Sequence, residues 1–166
     1  MVQKPGDIDS FELFNLSYSF SINLEMLEAS YYSLLNKLHP DKFINSSEKE
    51  LLYAQMHSSN LNNAYNTLTN VVSRSNELLK CKGEKNKQVE TFEDLCVLNE
   101  ILDLQEVAEK IDGEDQRMNF IKRIDKKIDE NVRKLDGYFI QNQLLEAKKL
   151  TVKISYLEKL IKDVRK

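Results

Sequence analysis

Apolar residues recur along most of this chain at spacings of three and four, the period of helices that bury one face. After Asn23, a candidate N-cap, Leu24, Leu27, Tyr31, Leu34, Leu35 and Leu38 mark such a face and predict a helix over 24–38. Pro40 cannot continue it, because proline lacks an N–H donor and its ring clashes with the preceding turn. Ser47 and Glu50 have the spacing of a capping box. Leu51, Ala54, Leu61, Ala64, Tyr65 and Leu68 then predict a second long helix packed antiparallel to the first. A helical turn or two over 11–16, after Ser10, precedes this hairpin. A short helix over 71–82 follows it, with Leu78 and Leu79 apolar and Gly83 at the C′ position.

The polar run Glu84-Lys85-Asn86-Lys87-Gln88 interrupts the pattern and reads as a link. Periodicity restarts at Thr91, which with Asp94 makes a candidate box, and predicts a helix to Ile111, stopped by Asp112-Gly113. Met118, Ile121, Ile124, Ile128, Val132 and Leu135 mark a further helix. Leu144, Ala147, Leu150, Ile154, Leu157, Ile161 and Val164 mark the last, with the break between the two inside 137–142. Three antiparallel helices of this kind make a bundle. The expected fold is all-α, with one unit over 1–83, a linker over 84–90 and a three-helix unit over 91–166.

Composition agrees: only four glycines and two prolines in 166 residues argue against a barrel or sandwich, and 41% hydrophobic with 31% charged is a globular mixture. No apolar run approaches the roughly 20 residues that span a bilayer, and no basic region followed by an apolar stretch opens the chain, so the cytoplasm is the expected location and no membrane partner is expected. Cys81 and Cys96 stand apart from each other and from His39 and His57, which leaves no readable metal-binding spacing; no metal or cofactor is expected. His57 reads as a partly exposed helix residue. Phe11, Phe14, Tyr31 and Tyr65 read as core.

The net charge of −3 hides an asymmetry. Residues 84–115 carry 3 basic and 11 acidic side chains, whereas residues 116–166 carry 14 and 7. A partner of the acidic stretch should be basic where it touches, and the tail also serves to neutralise that stretch within one bundle. Basic residues of the tail alternate with acids and lack an aromatic stacking platform, so nucleic acid is not an expected partner.

Two places carry candidate chemistry. His39-Pro40-Asp41, at the tip of the predicted hairpin, presents an imidazole, a rigid kink and a carboxylate together, which suits docking of an arginine-bearing protein surface better than a self-contained reaction. The triplet by itself is also compatible with an ordinary helix-ending turn. Between 91 and 111, Val97, Ile101, Leu104, Ala108 and Ile111 form a seam for packing, while Leu95, Leu98 and Leu102 form a second stripe about 100° round the helix. Flanked by Asp103 and Glu106, that stripe is either an exposed apolar patch with an acidic rim or part of one broad buried face. The chain has no Walker-type Gly-Lys loop and no nucleophile with a plausible base, so it is not expected to be an enzyme.

Phe11-Glu12-Leu13-Phe14, the run into Leu38-His39-Pro40-Asp41-Lys42-Phe43, and Leu61-Asn62-Asn63-Ala64-Tyr65-Asn66-Thr67-Leu68 resemble a J domain in order and spacing. Ser73-Arg74-Ser75, Leu78-Leu79, Gly83, the acidic helix and the helical tail extend the resemblance over nearly the whole chain, to the HscB family of iron-sulfur cluster co-chaperones. The resemblance implies that His39, Pro40 and Asp41, with Lys37 and Lys42 beside them, dock on a DnaK/HscA-type chaperone and stimulate its ATP hydrolysis. It also implies that the C-terminal bundle holds an IscU-type scaffold protein through Leu98, Leu102, Asp103, Glu106 and Tyr156. A J-domain co-chaperone with another client is the alternative. Several positions depart from the family pattern. Lys37 is the single basic residue from Leu24 to Leu38, against Glu25 and Glu28; Val71 stands where proline is frequent; Asn99 replaces an apolar residue and Lys110 an acid. The additional N-terminal cysteine motifs of some eukaryotic members are missing, which makes the chain bacterial in type.

Overall fold

In a computed structural model, which describes residues 6, 8–83 and 95–166, most helices of the first half begin where a side chain supplies a cap. Asp9 Oδ1 accepts the N–H of Phe11 (2.9 Å) and of Glu12 (3.0 Å) and starts α1, Ser10–Leu13, one residue earlier than the apolar pattern suggests. Asn23 Oδ1 accepts the Met26 N–H (3.0 Å) and starts α2, Leu24–Leu38. The capping box forms: Glu50 N–H donates to Ser47 Oγ and Ser47 N–H to Glu50 Oε2, both at 3.3 Å, opening α3, Glu48–Thr69. α4, Val71–Cys81, follows, and Gly83 adopts φ 85, a left-handed conformation in which a side chain would be strained.

The chain divides into two compact units, residues 1–81 and 82–166. In the first, α2 and α3 pair as a hairpin braced by α1 and α4. Phe11, Leu27, Leu61, Leu68 and Leu78 are fully buried, each stabilising the fold by roughly 1.5–3 kcal/mol relative to exposure. Of the face expected on α2, Leu27 is buried and Tyr31, Leu34, Leu35 and Leu38 are half-buried. Leu24 instead, in the first turn of the helix, is 49% exposed. Tyr31 and Tyr65 are half-buried and stack at 4.3 Å between ring centroids, joining α2 to α3.

In the second unit, α5 (Leu95–Glu109), α6 (Glu114–Ile140) and α7 (Leu144–Val164) pack around Leu104, Phe120, Ile124, Leu157, Leu160 and Ile161. Glu100 meets Lys127 and Lys153, and Ala108 and Ile111 lie beside Leu160 and Val164, so α5 and α7 run parallel, with α6 antiparallel between them in sequence. α5 ends at Glu109, two residues before the expected stop: N–H groups of Lys110 and Ile111 bond back three residues, to Val107 and Ala108, at 3.3 Å each, and tighten the last turn. The α6–α7 turn spans 141–143, with Asn142 at φ 56 and Gly137 inside the helix. Met118 is exposed rather than core, whereas Phe120 and Phe139 are buried and were not on the expected face. The expected linker over 84–90 and the Thr91/Asp94 box lie outside the described residues. Seven α-helices and one 3₁₀ turn, with no strand among the described residues, make the fold all-α as expected.

Candidate functional site

α2 ends at Leu38 because Pro40 follows. Instead of an open loop, residues Pro40–Phe43 form a 3₁₀ turn with proline in its first position and His39 as its cap. The Asp41 N–H donates to His39 Nδ1 (3.3 Å) and the Lys42 N–H to the His39 carbonyl (3.0 Å). Nδ1 is thereby an acceptor, which leaves the proton of the neutral imidazole on Nε2. Asp41 Oδ2 lies 3.5 Å from the same Nδ1. Two further bonds fix the turn to the hairpin: Ser58 Oγ of α3 donates to the Leu38 carbonyl (3.2 Å), and Lys42 Nζ donates to Asn36 Oδ1 (3.0 Å).

The turn thus brings His39, Pro40, Asp41 and Lys42 together on a rigid tip, with Lys37 in the last turn of the adjoining helix. The His39 side chain is 47% exposed and that of Asp41 78%, while Pro40 is half-buried and Lys37 and Lys42 are exposed. The tip offers a partly exposed imidazole, a carboxylate and two ammonium groups. No reacting pair is built there: nothing activates a nucleophile, and among the described residues no three metal-ligating side chains converge.

The second candidate lies on α5. Ile101 and Leu104 are buried and Val97, Ala108 and Ile111 half-buried, so the expected seam faces the bundle. Leu98 is half-buried and Leu102 is 47% exposed, with Asp103 and Glu106 exposed beside it; the side chain of Leu95 lies outside the described residues. The second stripe is therefore neither wholly surface nor wholly core: it begins at the packed edge and turns outward at Leu102. Tyr156 on α7 is 37% exposed. The parallel register that sets Glu100 against Lys153 puts Tyr156 at about the level of Asp103 along the bundle.

Glu100, which sequence reasoning passed over, sets that register. Its carboxylate takes hydrogen bonds from Lys127 of α6 and Lys153 of α7 and so ties all three helices together. Burial alone would raise its pKa, but the two lysine hydrogen bonds and charges outweigh burial and hold it below the ordinary carboxylate range. The signal lay in the charge asymmetry: an acid at the edge of an apolar seam, in a segment whose tail is basic. Cys81 is a free, exposed thiol, pushed up to about 11 first by burial of the sulfur and then by the carboxylates of Asp9 and Glu77, so it is a poor nucleophile. His57 is half-buried on α3, as expected.

Residues 93–165 match the family model described as the HSCB C-terminal oligomerisation domain. A co-chaperone protein HscB homolog of Shewanella loihica is 36% identical over 102 residues, covering 61% of this chain and 59% of that protein's length. An iron-sulfur cluster co-chaperone protein HscB homolog of Arabidopsis thaliana is 28% identical over 163 residues, or 96% of this chain and 63% of the relative. The matched stretches thus span less than two thirds of both relatives. The crystal structure of human co-chaperone protein HscB superposes with a TM-score of 0.92 at 27% identity, covering 98% of this chain and 84% of that one.

Proposed function

Given that the chain belongs to the HscB family of co-chaperones, an N-terminal J domain followed by a helical bundle, we propose that it couples two proteins rather than transforming a substrate. The His39-Pro40-Asp41 turn docks on the ATP-bound state of a DnaK/HscA-type chaperone and stimulates its ATP hydrolysis, with Lys37 and Lys42 flanking the contact. The α5–α7 surface of Leu98, Leu102, Asp103, Glu106 and Tyr156 holds an IscU-type scaffold and presents it for iron-sulfur cluster transfer, in the cytoplasm. The chain itself hydrolyses nothing.

The observation that carries this reading is the construction of the tip. The backbone of the tip is held by the His39 cap and by Ser58 on the Leu38 carbonyl, yet the side chains of His39 and Asp41 stand in solvent with no partner reaction to perform. A preorganised, exposed donor and carboxylate suit recognition of a protein surface, since ordering costs are met in folding and not at binding. The test is chaperone ATP turnover with and without the chain. Stimulation is expected for the unaltered protein and none for His39→Gln, while turnover by the chain alone would overturn the reading. Scaffold capture is expected to fail in Leu98→Ala/Leu102→Ala with helicity retained. Capture by neither protein, alongside intact ATPase stimulation, would point instead to a J-domain co-chaperone with a different client.

A further inference from the structure

The tip of the hairpin is too small to be the whole of a protein contact. A specific interface covers roughly 800 Å² on each partner, whereas the turn itself offers little more than His39, Asp41 and Lys42. A protein seated there has to extend along the hairpin. Tyr32 stands two helical turns before His39, and therefore on the same side of α2. Asn36 lies between them, and its Oδ1 accepts from Lys42 Nζ, so this side of the helix runs directly into the tip. Tyr32 is 59% exposed, yet its ring is braced: it packs on Tyr31 at 5.2 Å between centroids, and Tyr31 in turn stacks on Tyr65 of α3 and donates from its hydroxyl to Asn62 Oδ1 (2.8 Å). An exposed aromatic held in this way has little freedom left to lose on binding.

The surface around Tyr32 carries almost no charge. From Ala29 to Asn36 α2 has no acidic or basic side chain, and Glu28 and Lys37 bound that stretch, one at each end. Ala29 and Ser33, small and exposed, border a hollow of about 460 Å³ lined also by Leu13, Phe14 and Leu34, with no charged residue in its lining. A braced aromatic among small neighbours, beside an uncharged hollow, has the composition of the centre of an interface and not of its rim. With Glu25 and Glu28 against Lys37, this face has no net positive charge to attract an acidic surface, so apolar side chains of the partner have to supply the contact.

We infer that Tyr32 anchors the chaperone: its ring enters an apolar pocket of the DnaK/HscA-type partner, and an apolar side chain of that partner fills the hollow beside Ala29 and Ser33. The inference rests on the reading of the tip as the chaperone contact and divides the work within it. Tyr32 sets affinity, whereas His39-Pro40-Asp41 sets the stimulation of ATP hydrolysis.

The test titrates the full chain into a DnaK/HscA-type chaperone and reads ATP turnover, which separates the half-saturating concentration from the maximal rate. Tyr32→Ala is expected to raise the half-saturating concentration about tenfold and leave the maximum unchanged, equally at low and high salt. Tyr32→Phe, which keeps the ring, should stay within about threefold of the unaltered chain. Thermal unfolding of Tyr32→Ala should match the parent, because the stack of Tyr31 on Tyr65 remains. Tyr32→Lys should bind as weakly as Tyr32→Ala; tighter binding by the lysine variant would show an acidic chaperone surface and overturn the inference. Half-saturation unchanged in Tyr32→Ala, while His39→Gln abolishes stimulation, would sink the anchor and leave the reading of the tip standing. If the unaltered chain stimulates no turnover, that reading falls and the anchor with it. A tenfold loss in Leu52→Ala/Met56→Ala, which removes exposed apolar groups of α3, with none in Tyr32→Ala, would place the extended contact on α3 and overturn the inference.

Discussion

His39 shows how one side chain carries two separable tasks. Nδ1 caps the 3₁₀ turn by accepting from the Asp41 N–H, whereas Nε2 takes no part in the cap and is the nitrogen that the proposed function assigns to a partner. Substitution divides them. Asparagine retains a short acceptor, the kind favoured at caps, but reaches no further; glutamine reaches further and loses the cap. Both His39→Asn and His39→Gln should abolish chaperone stimulation, while the Asp41 amide, followed by NMR, keeps its native shift only in His39→Asn. Native shifts in both variants would show that the cap contributes nothing to the turn. At this scale the triplet and its kink were legible in the sequence, because proline acts through covalent geometry. The cap was not legible, since histidine is an unusual capping residue and its role depends on a nitrogen 3.3 Å from an amide. Asp9 escaped for a related reason: Ser10 beside it is an equally good cap by residue type, and only the coordinates show that Asp9 takes the Phe11 and Glu12 amides while also accepting from Tyr18 Oη (2.8 Å).

Helices read differently from residues, because periodicity averages over many side chains. The limits of α2 and the capping box of α3 follow the expected positions, and the seam on α5 faces the bundle. The fate of the second stripe could not follow from periodicity, because whether Leu98 and Leu102 are covered depends on how closely α7 approaches. Glu100 joins α5 to α6 and α7 through Lys127 and Lys153. Its carboxyl lies lower in the folded chain than in the unfolded one, so it contributes stability above the ordinary glutamate value of about 4.3, and that contribution is lost as pH falls through the lower folded value. Glu100→Gln should therefore destabilise the second unit by about 1–3 kcal/mol near neutral pH and flatten the acid limb of its stability curve. Denaturant unfolding at pH 7 and pH 3.5 checks both; an equal difference between variant and parent at the two pH values would remove the ion cluster from the account. Because the cluster also sets α5 against α7, the same variant should bind scaffold more weakly with the ATPase response intact. On α2 the exposed face has one lysine against Glu25 and Glu28, so chaperone association is expected to change less than about threefold in rate between low and moderate salt. Stopped-flow measurement at two ionic strengths would reveal a steep decline if steering charges elsewhere take over.

Over the whole molecule the chain is two units, and the proposed function divides between them: the tip of the hairpin in residues 1–81, and the α5–α7 surface in residues 82–166. Each surface is fixed by contacts inside its own unit: the tip by Ser58, Asn36 and the His39 cap, the α5–α7 surface by Glu100 and the core around Leu104 and Leu157. Substitutions at sites that share no partners act additively. His39→Gln should therefore abolish ATPase stimulation and leave the scaffold dissociation constant unchanged. Leu98→Ala/Leu102→Ala should weaken scaffold binding by an order of magnitude or more, in keeping with loss of central apolar anchors, and leave stimulation without client unchanged. Adding scaffold to chaperone and unaltered chain should raise turnover further, because tethering raises the effective concentration of client at the chaperone. That increment should vanish in either variant. A double-mutant cycle on scaffold affinity measures the coupling directly: a value near zero is expected, and a coupling above about 0.5 kcal/mol would mean that the two surfaces communicate through the chain rather than acting as independent grips.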